Sequence, residues 1–207
     1  MNFFFIALTF LFLSSCEAKN ESDVNPDFDE LSQEYTTRKE VPVDENGVVQ
    51  NPIYLGDNGV TVKARDWAFV GDSGILNDVE YIIISRQQLR SKIVNGEDIT
   101  KICTSRLFYL SGMLRGMHSF NQNISHWDTS NVIDMNLMFY GATSFNQDIG
   151  SWDTSNVINM EGMFIDANVF NQDLTGWCVT DISAEPTNFS TSSALTDANK
   201  PIWGTCP

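Results

Sequence analysis

Basic residues are scarce in this chain: 12 Lys and Arg stand against 27 Asp and Glu in 207 residues, a formal net charge of −15. Binding a phosphate backbone requires a cationic stripe that displaces counterions. No such stripe occurs, which excludes nucleic acid as a partner. Histidine is scarcer still, with only two, His118 and His126, and no cluster of Cys, His and carboxylate has the spacing of metal ligands. No metal and no cofactor is expected. A nucleophilic cysteine needs a base within reach and a third group to orient it; the four cysteines show no such company, so the chain is not expected to be an enzyme. Long apolar runs are also missing after the first sixteen residues, "MNFFFIALTFLFLSSC", and that run is short for a bilayer span.

The opening run has the length and the small-residue ending of a secretory signal, although its charged start is reduced to the α-amino group. Its last four letters, Leu13-Ser14-Ser15-Cys16, resemble the lipobox of bacterial lipoproteins, in which the cysteine is acylated and becomes the mature N-terminus. Residues 1–16 are therefore expected to be a lipoprotein signal peptide, with Cys16 the lipidation site. More than one fatty chain on that cysteine would give stable anchoring. The membrane, reached through lipid, is then one partner, and the expected location is the bacterial outer membrane or cell surface. Residues 17–58 hold eleven acidic and three basic residues, with Pro26, Pro42 and Pro52. Such a segment buries too little apolar surface to offset its chain entropy and reads as an acidic disordered tether.

What the chain has in abundance is repetition. Phe-Asn-Gln recurs at Phe120, Phe145 and Phe170, a period of 25 residues. On that period Ile124 and Ile149 share a column, as do Trp127, Trp152 and Trp177. So do Val132 with Val157, Met135 with Met160, Met138 with Met163, and Phe139 with Phe164. A degenerate copy begins near Asn95, with Ile99, Ile102, Leu107 and Met113-Leu114 in the same columns. A period in the twenties marks a solenoid, because one such unit cannot enclose a core alone. The expected fold is α/β: a short, right-handed, leucine-rich-repeat-like solenoid of about four 25-residue coils over residues 95–177. The named columns would form its core, and Asp128, Asp153, Asn131 and Asn156 would serve its corners. Calcium coils require a nine-residue glycine-rich period, which is absent.

The flanks read as caps. "VTVKARDWAFV" and "VEYIIIS" suggest strands either side of the turn-rich "GDSGILND". "SRQQLRSKIVNG" suggests a helix, opened by a Ser85/Gln88 capping box and stopped at Asn95-Gly96. Residues 59–94 would cover the first coil. Three coils at about 4.8 Å each put Cys103 some 14 Å from Cys178, beyond the ~7 Å Cα limit of a bridge. Cys178 with Cys206 is the pairing expected, closing residues 178–207 as a C-terminal cap and leaving Cys103 a buried thiol.

The string "FNQDIGSWDTSNVINMEGMF" resembles the BspA-like leucine-rich-repeat surface lipoproteins, specifically the mycoplasma lipoprotein-type repeat of unknown function. "GEDITKICTS" and "FNQDLTGWCVTDI…NKPIWGTCP" are similar to the same group, and the likeness runs over roughly residues 60–207. It implies a short strand near residues 131–135 and a short helix near 138–142 in each coil, and a role in surface attachment. Asp166 stands where Gly141 stands one copy earlier. The function expected is an exported surface lipoprotein with a non-catalytic, adhesion-type repeat domain binding an extracellular protein or glycan; the alternative is a passive or self-associating envelope component. Binding would use positions that vary between copies: His126 against Ser151, Asn136 against Glu161, Leu137 against Gly162, and Tyr140 against Ile165.

Overall fold

A computed structural model describes residues 41–207. The signal peptide, Cys16 and residues 17–40 of the expected tether lie outside the described residues. The remainder of that tether is partly ordered, because Ile53–Leu55 forms strand β1. It pairs antiparallel with β2, Val62–Ala64, placing Ile53 opposite Ala64 and Leu55 opposite Val62. The two strands offer Ile53, Val62 and Ala64 to a small core completed by Ala68, Ile83 and Cys103.

The stretch "GDSGILND" is not a turn. It contains β3, Ser73–Leu76, which pairs antiparallel with β4, Val79–Ile83. Asn77 and Asp78 connect them with φ of 50° and 63°, the pair of left-handed residues that a tight hairpin needs. β4 then pairs in parallel with β5, Ile102–Cys103, giving the order β3-β4-β5. The two sheets approach closely at Gly74, where a Cβ would fall 2.0 Å from Asn51 Oδ1. Asn51 Nδ2 donates to Ile75 O across that gap at 2.7 Å.

Between β4 and β5 lies α1, Arg86–Val94. Ser85 caps it: its hydroxyl accepts from the Gln88 amide while the Gln88 side chain accepts from the Ser85 amide. Leu89 and Ile93 supply its buried face. Arg86 fixes the helix start to the rest of the molecule by donating to Tyr109 O and Ser111 O.

The expected leucine-rich-repeat solenoid is corrected by the structure. Among the described residues there is one short α-helix, two small sheets and one 3-10 turn at Asp197–Asn199, with no strand-and-helix unit in each copy. Residues 131–142 carry turns and, at Asp134, two isolated parallel bridges, to Tyr109 and to Asn159. The reason is where the amides donate. A helix needs each N–H bonded to the carbonyl four residues back. Here the amides of Met135, Leu137, Phe139 and Gly141 donate forward, to Asn159, Glu161, Met163 and Ile165 of the next copy. The intervening amides of Met138, Tyr140 and Ala142 close turns to the carbonyls three residues back. Left-handed Leu137 (φ 53°) and Gly141 (φ 67°) break the chain into such turns.

The 25-residue spacing brings corresponding side chains of these turns together. Phe139 stacks on Phe164 at 5.3 Å, Phe145 on Phe170 at 5.7 Å, and Trp127 on Trp152 at 6.2 Å with their planes 3° apart. Ile124, Val132, Met135, Met138, Ile149, Val157, Met160, Met163 and Trp177 are buried in the same core; Phe120 packs against it while partly exposed. Thr104, Thr129 and Thr154 each donate a hydroxyl to the carbonyl 24 residues on. Trp152 and Trp177 donate their indole N–H to the carbonyls of Ile124 and Ile149. Among the described residues no helix is long and apolar enough to cross a membrane.

Candidate functional site

A dense polar constellation lies where β2 meets the stacked turns. Its centre is Asp128, 3% exposed. A polar group so placed needs hydrogen-bond partners, and Asp128 has them. Asp128 Oδ2 accepts from Ser105 Oγ, and Oδ1 accepts from the Ser130 hydroxyl at 2.6 Å and the Ser130 amide at 3.2 Å. Lys63 Nζ stands 3.8 Å from Oδ1. Ser105 Oγ in turn accepts from the Ala64 amide at 2.9 Å, so the carboxylate and the β2 backbone are held through one hydroxyl.

The seam continues on both sides. The Val62 amide donates to His126 O at 2.8 Å, and Cys103 Sγ donates to Val62 O at 3.4 Å. The His126 ring lies with Nε2 3.2 Å from Ile102 O and its centroid 5.7 Å from the Tyr81 ring. A carbonyl only accepts, so Nε2 carries the hydrogen of the neutral ring and Nδ1 is its open base. Burial holds the His126 imidazole below the ordinary histidine range, against the opposing pull of the Ile102 carbonyl and the Asp98 carboxylate. Burial likewise pushes the Cys103 thiol up, keeping it protonated at neutral pH and a poor nucleophile.

Beside the seam opens a cleft of about 200 Å³ lined by Gly56, Asp57, Asn58, Thr61, Lys63, Asp128, Thr129 and Asp153. Most of its polar groups are already committed. Asn58 accepts from the amides of Val60 and Thr61, Thr129 donates to Asp153 O, and Asp153 accepts from Ser155. Among the described residues no group of three or more His, Cys, Asp or Glu could hold a metal ion.

The positions that vary between copies divide. Leu137, Gly162 and Ile165 meet: a Cβ on Gly162 would fall 2.7 Å from Leu137 Cδ2 and 2.9 Å from Ile165 Cδ1. Asn136 Nδ2 reaches Glu161 O at 3.3 Å, and Tyr140 lies under the Arg115 guanidinium at 5.0 Å. Ser151 is exposed. His126 belongs to the seam. Cys178 and Cys206 form a disulfide, and Cys103 is a buried free thiol. Sequence reasoning missed Lys63, Ser105 and the cleft; the only available signal was a Ser in the chain two residues after Cys103, matching Ser130 after Asp128.

A family model described as "Mycoplasma protein of unknown function, DUF285" matches residues 85–202, more than half of the chain. The chain belongs to the DUF285 family. Neither a curated protein nor a solved structure matches it. The DUF285 stretch begins at the Ser85 cap of α1 and contains Ser105, His126 and Asp128, whereas β1–β4 and Lys63 precede it. The seam thus lies where residues before the DUF285 match meet residues within it. The likeness to BspA-like leucine-rich-repeat lipoproteins is corrected to this family, whose description carries no leucine-rich-repeat assignment. The adhesion-type reading, and with it the passive or self-associating alternative, rested on a solenoid of strand-and-helix coils that is not present, and neither is retained.

Proposed function

We propose that this DUF285 protein is a non-enzymatic lipoprotein, exported and held at a bacterial membrane by acyl chains on Cys16, with its disulfide-closed body outside the cytoplasm. The observation that carries this reading is Leu13-Ser14-Ser15-Cys16 placed directly after the apolar run. A single acyl chain binds membranes marginally, so the anchor requires the multiple chains that lipobox cysteines receive. The Cys178–Cys206 disulfide supports export, because such bonds persist in oxidising compartments and are rare in the cytosol. The net charge of −15 favours solubility of the body beyond an anionic membrane surface. In support of a non-enzymatic role, the Cys103 thiol is buried and protonated, and the seam's carboxylate is occupied by structural hydroxyls.

The test is metabolic labelling of the full chain with an alkyne fatty acid in a bacterial host, together with detergent-phase partitioning. The wild-type chain is expected to take label and enter the detergent phase, and Cys16→Ser to do neither. Unlabelled wild-type protein recovered from the aqueous phase, with its N-terminus at a residue other than Cys16, would overturn the assignment.

A further inference from the structure

Three asparagines in this chain precede a glycine: Asn46-Gly47, Asn58-Gly59 and Asn95-Gly96. In that dipeptide the glycine has no Cβ to keep its nitrogen away from the asparagine side-chain carbonyl, so the nitrogen can attack Cγ and close a five-membered imide. The backbone around the three is alike. The glycines hold left-handed φ of 76°, 69° and 69°. Their amides donate to the carbonyls three residues back, Asp44 O, Gly56 O and Ile93 O, at 3.0, 2.9 and 3.0 Å. All three asparagines are exposed.

Their side chains differ. Asn58 Oδ1 accepts from the amides of Val60 and Thr61 at 3.0 and 2.9 Å, and its Nδ2 donates to the Thr61 hydroxyl at 2.8 Å. Thr61 and Val62 are buried, which pins that turn to β2. Asn95 Nδ2 donates to Glu97 Oε1 at 3.2 Å, and its amide closes α1 on Ser91 O, beside the buried Leu89 and Ile93. The Asn46 side chain has no partner among the described residues. Its turn is closed by Asp44, whose carboxylate accepts from the Asn46 and Val48 amides and whose own amide donates to Val48 O. Every residue from 43 to 50 is exposed, and a turn that buries no side chain opens at little cost. Asn46 can therefore reach the attack geometry, whereas the other two must first give up contacts.

We infer that Asn46 is a site of spontaneous covalent modification, at which the side-chain amide is lost and residue 46 becomes aspartate or isoaspartate, while the fold holds Asn58 and Asn95 back. In the first step the bond from Gly47 N to Asn46 Cγ forms, the Cγ–Nδ2 bond breaks, and the Gly47 amide proton leaves with ammonia. Solvent water then opens the imide at one of its two carbonyls. One water is consumed and one ammonia released, with no change of oxidation state. Conversion sets a third carboxylate beside Asp44 and Glu45. In the isoaspartyl product it also adds one carbon to the main chain inside the turn that Asp44 and Val48 close. The change is irreversible, accumulates with time, and is confined to the turn that opens the described part of the chain.

Peptide mapping by mass spectrometry, on the folded full chain aged in mildly alkaline buffer, tests this. Residue 46 is expected to convert about tenfold faster than residues 58 and 95, or more; tenfold corresponds to about 1.4 kcal/mol, the size of one net hydrogen bond. In denaturant, where all three side chains are free, the three rates should come together. Enzymatic methylation of isoaspartate should label the aged wild-type protein and fall to background in Asn46→Gln, whose longer side chain would have to close a six-membered ring. Equal rates at the three sites of the folded protein would overturn the inference. So would a preference for residue 46 that persists unchanged in denaturant, or undiminished label in Asn46→Gln.

Discussion

Gly150 occupies a position that no side chain can share. A Cβ there would fall 2.6 Å from the backbone oxygen of Asp173 in the next copy and 3.3 Å from Asp148 Oδ1. A carbonyl in a stacked turn cannot retreat without moving the turn. Gly150→Ala is therefore expected to cost about 1–3 kcal/mol, the usual range for overpacking. The control is Gly176→Ala, where the nearest atom is Gly150 O at 3.8 Å, an ordinary contact, so its midpoint of urea unfolding should match wild type. Equal losses from both changes would show that the copies are not in the register described. Leu137 is the opposite case. It holds a left-handed φ of 53° in a column otherwise filled by Gly112 and Gly162, a conformation costing a branched residue about 1–2 kcal/mol. Its side chain recovers contact by lying across the space above Gly162.

At the scale of the elements, the helix and the turns illustrate two kinds of legibility. Helix α1 was readable from local letters because its cap is a local device: Ser85 and Gln88 satisfy one another's amides within four residues. Ser85→Ala removes a capping hydroxyl and should lower stability by about 1 kcal/mol, measured as a shift in thermal unfolding, with Ser85→Asp recovering most of the loss. The "GDSGILND" stretch was misread because Ser73 and Gly74, turn residues by type, lie inside β3, and only Asn77 and Asp78 make the hairpin turn. The interior of each copy was misread for a deeper reason. Met-Phe pairs at helical spacing suit a helix, but their amides were recruited by the next copy, an outcome that depends on residues 24 or more positions away. The polar seam was illegible on the same grounds. Lys63, Ser105 and Asp128 are joined only by the fold, and beyond the shared spacing of Ser105 and Ser130 nothing in their neighbourhoods points from one to another.

For the whole molecule, the period of 25 residues was plain in the letters, while the architecture it serves was not. Periodicity reports that equal residues meet equal surroundings; it is silent on whether those surroundings are strands, helices or turns. The Cys178–Cys206 disulfide acts at this largest scale. It closes 28 residues of chain that include Phe189, which packs on Phe164 at 5.4 Å and on Trp203 at 4.9 Å. A loop of that length is worth about 3–4 kcal/mol on the chain-entropy model. Reduction under native conditions is expected to lower the unfolding free energy by about that amount, read by denaturant titration with and without reductant. A Cys178→Ser/Cys206→Ser pair should match the reduced protein and lose its response to reductant.

Most amide donations between copies run from earlier residues to later carbonyls, with Ile133 to Phe108 O and Ile158 to Ile133 O running the other way, and residues 187–191 supply one further set: Thr187 O, Phe189 O and Thr191 O receive the amides of Gly162, Phe164 and Asp166. Trimming the tail would strand donors inside a dry interior, whereas excising one complete unit from the middle would rejoin each donor to an equivalent acceptor. A lineage built this way can grow or shorten from within far more readily than from its finish. Diversity in size should therefore arise by gain and loss of internal units, with the closing segment inherited whole.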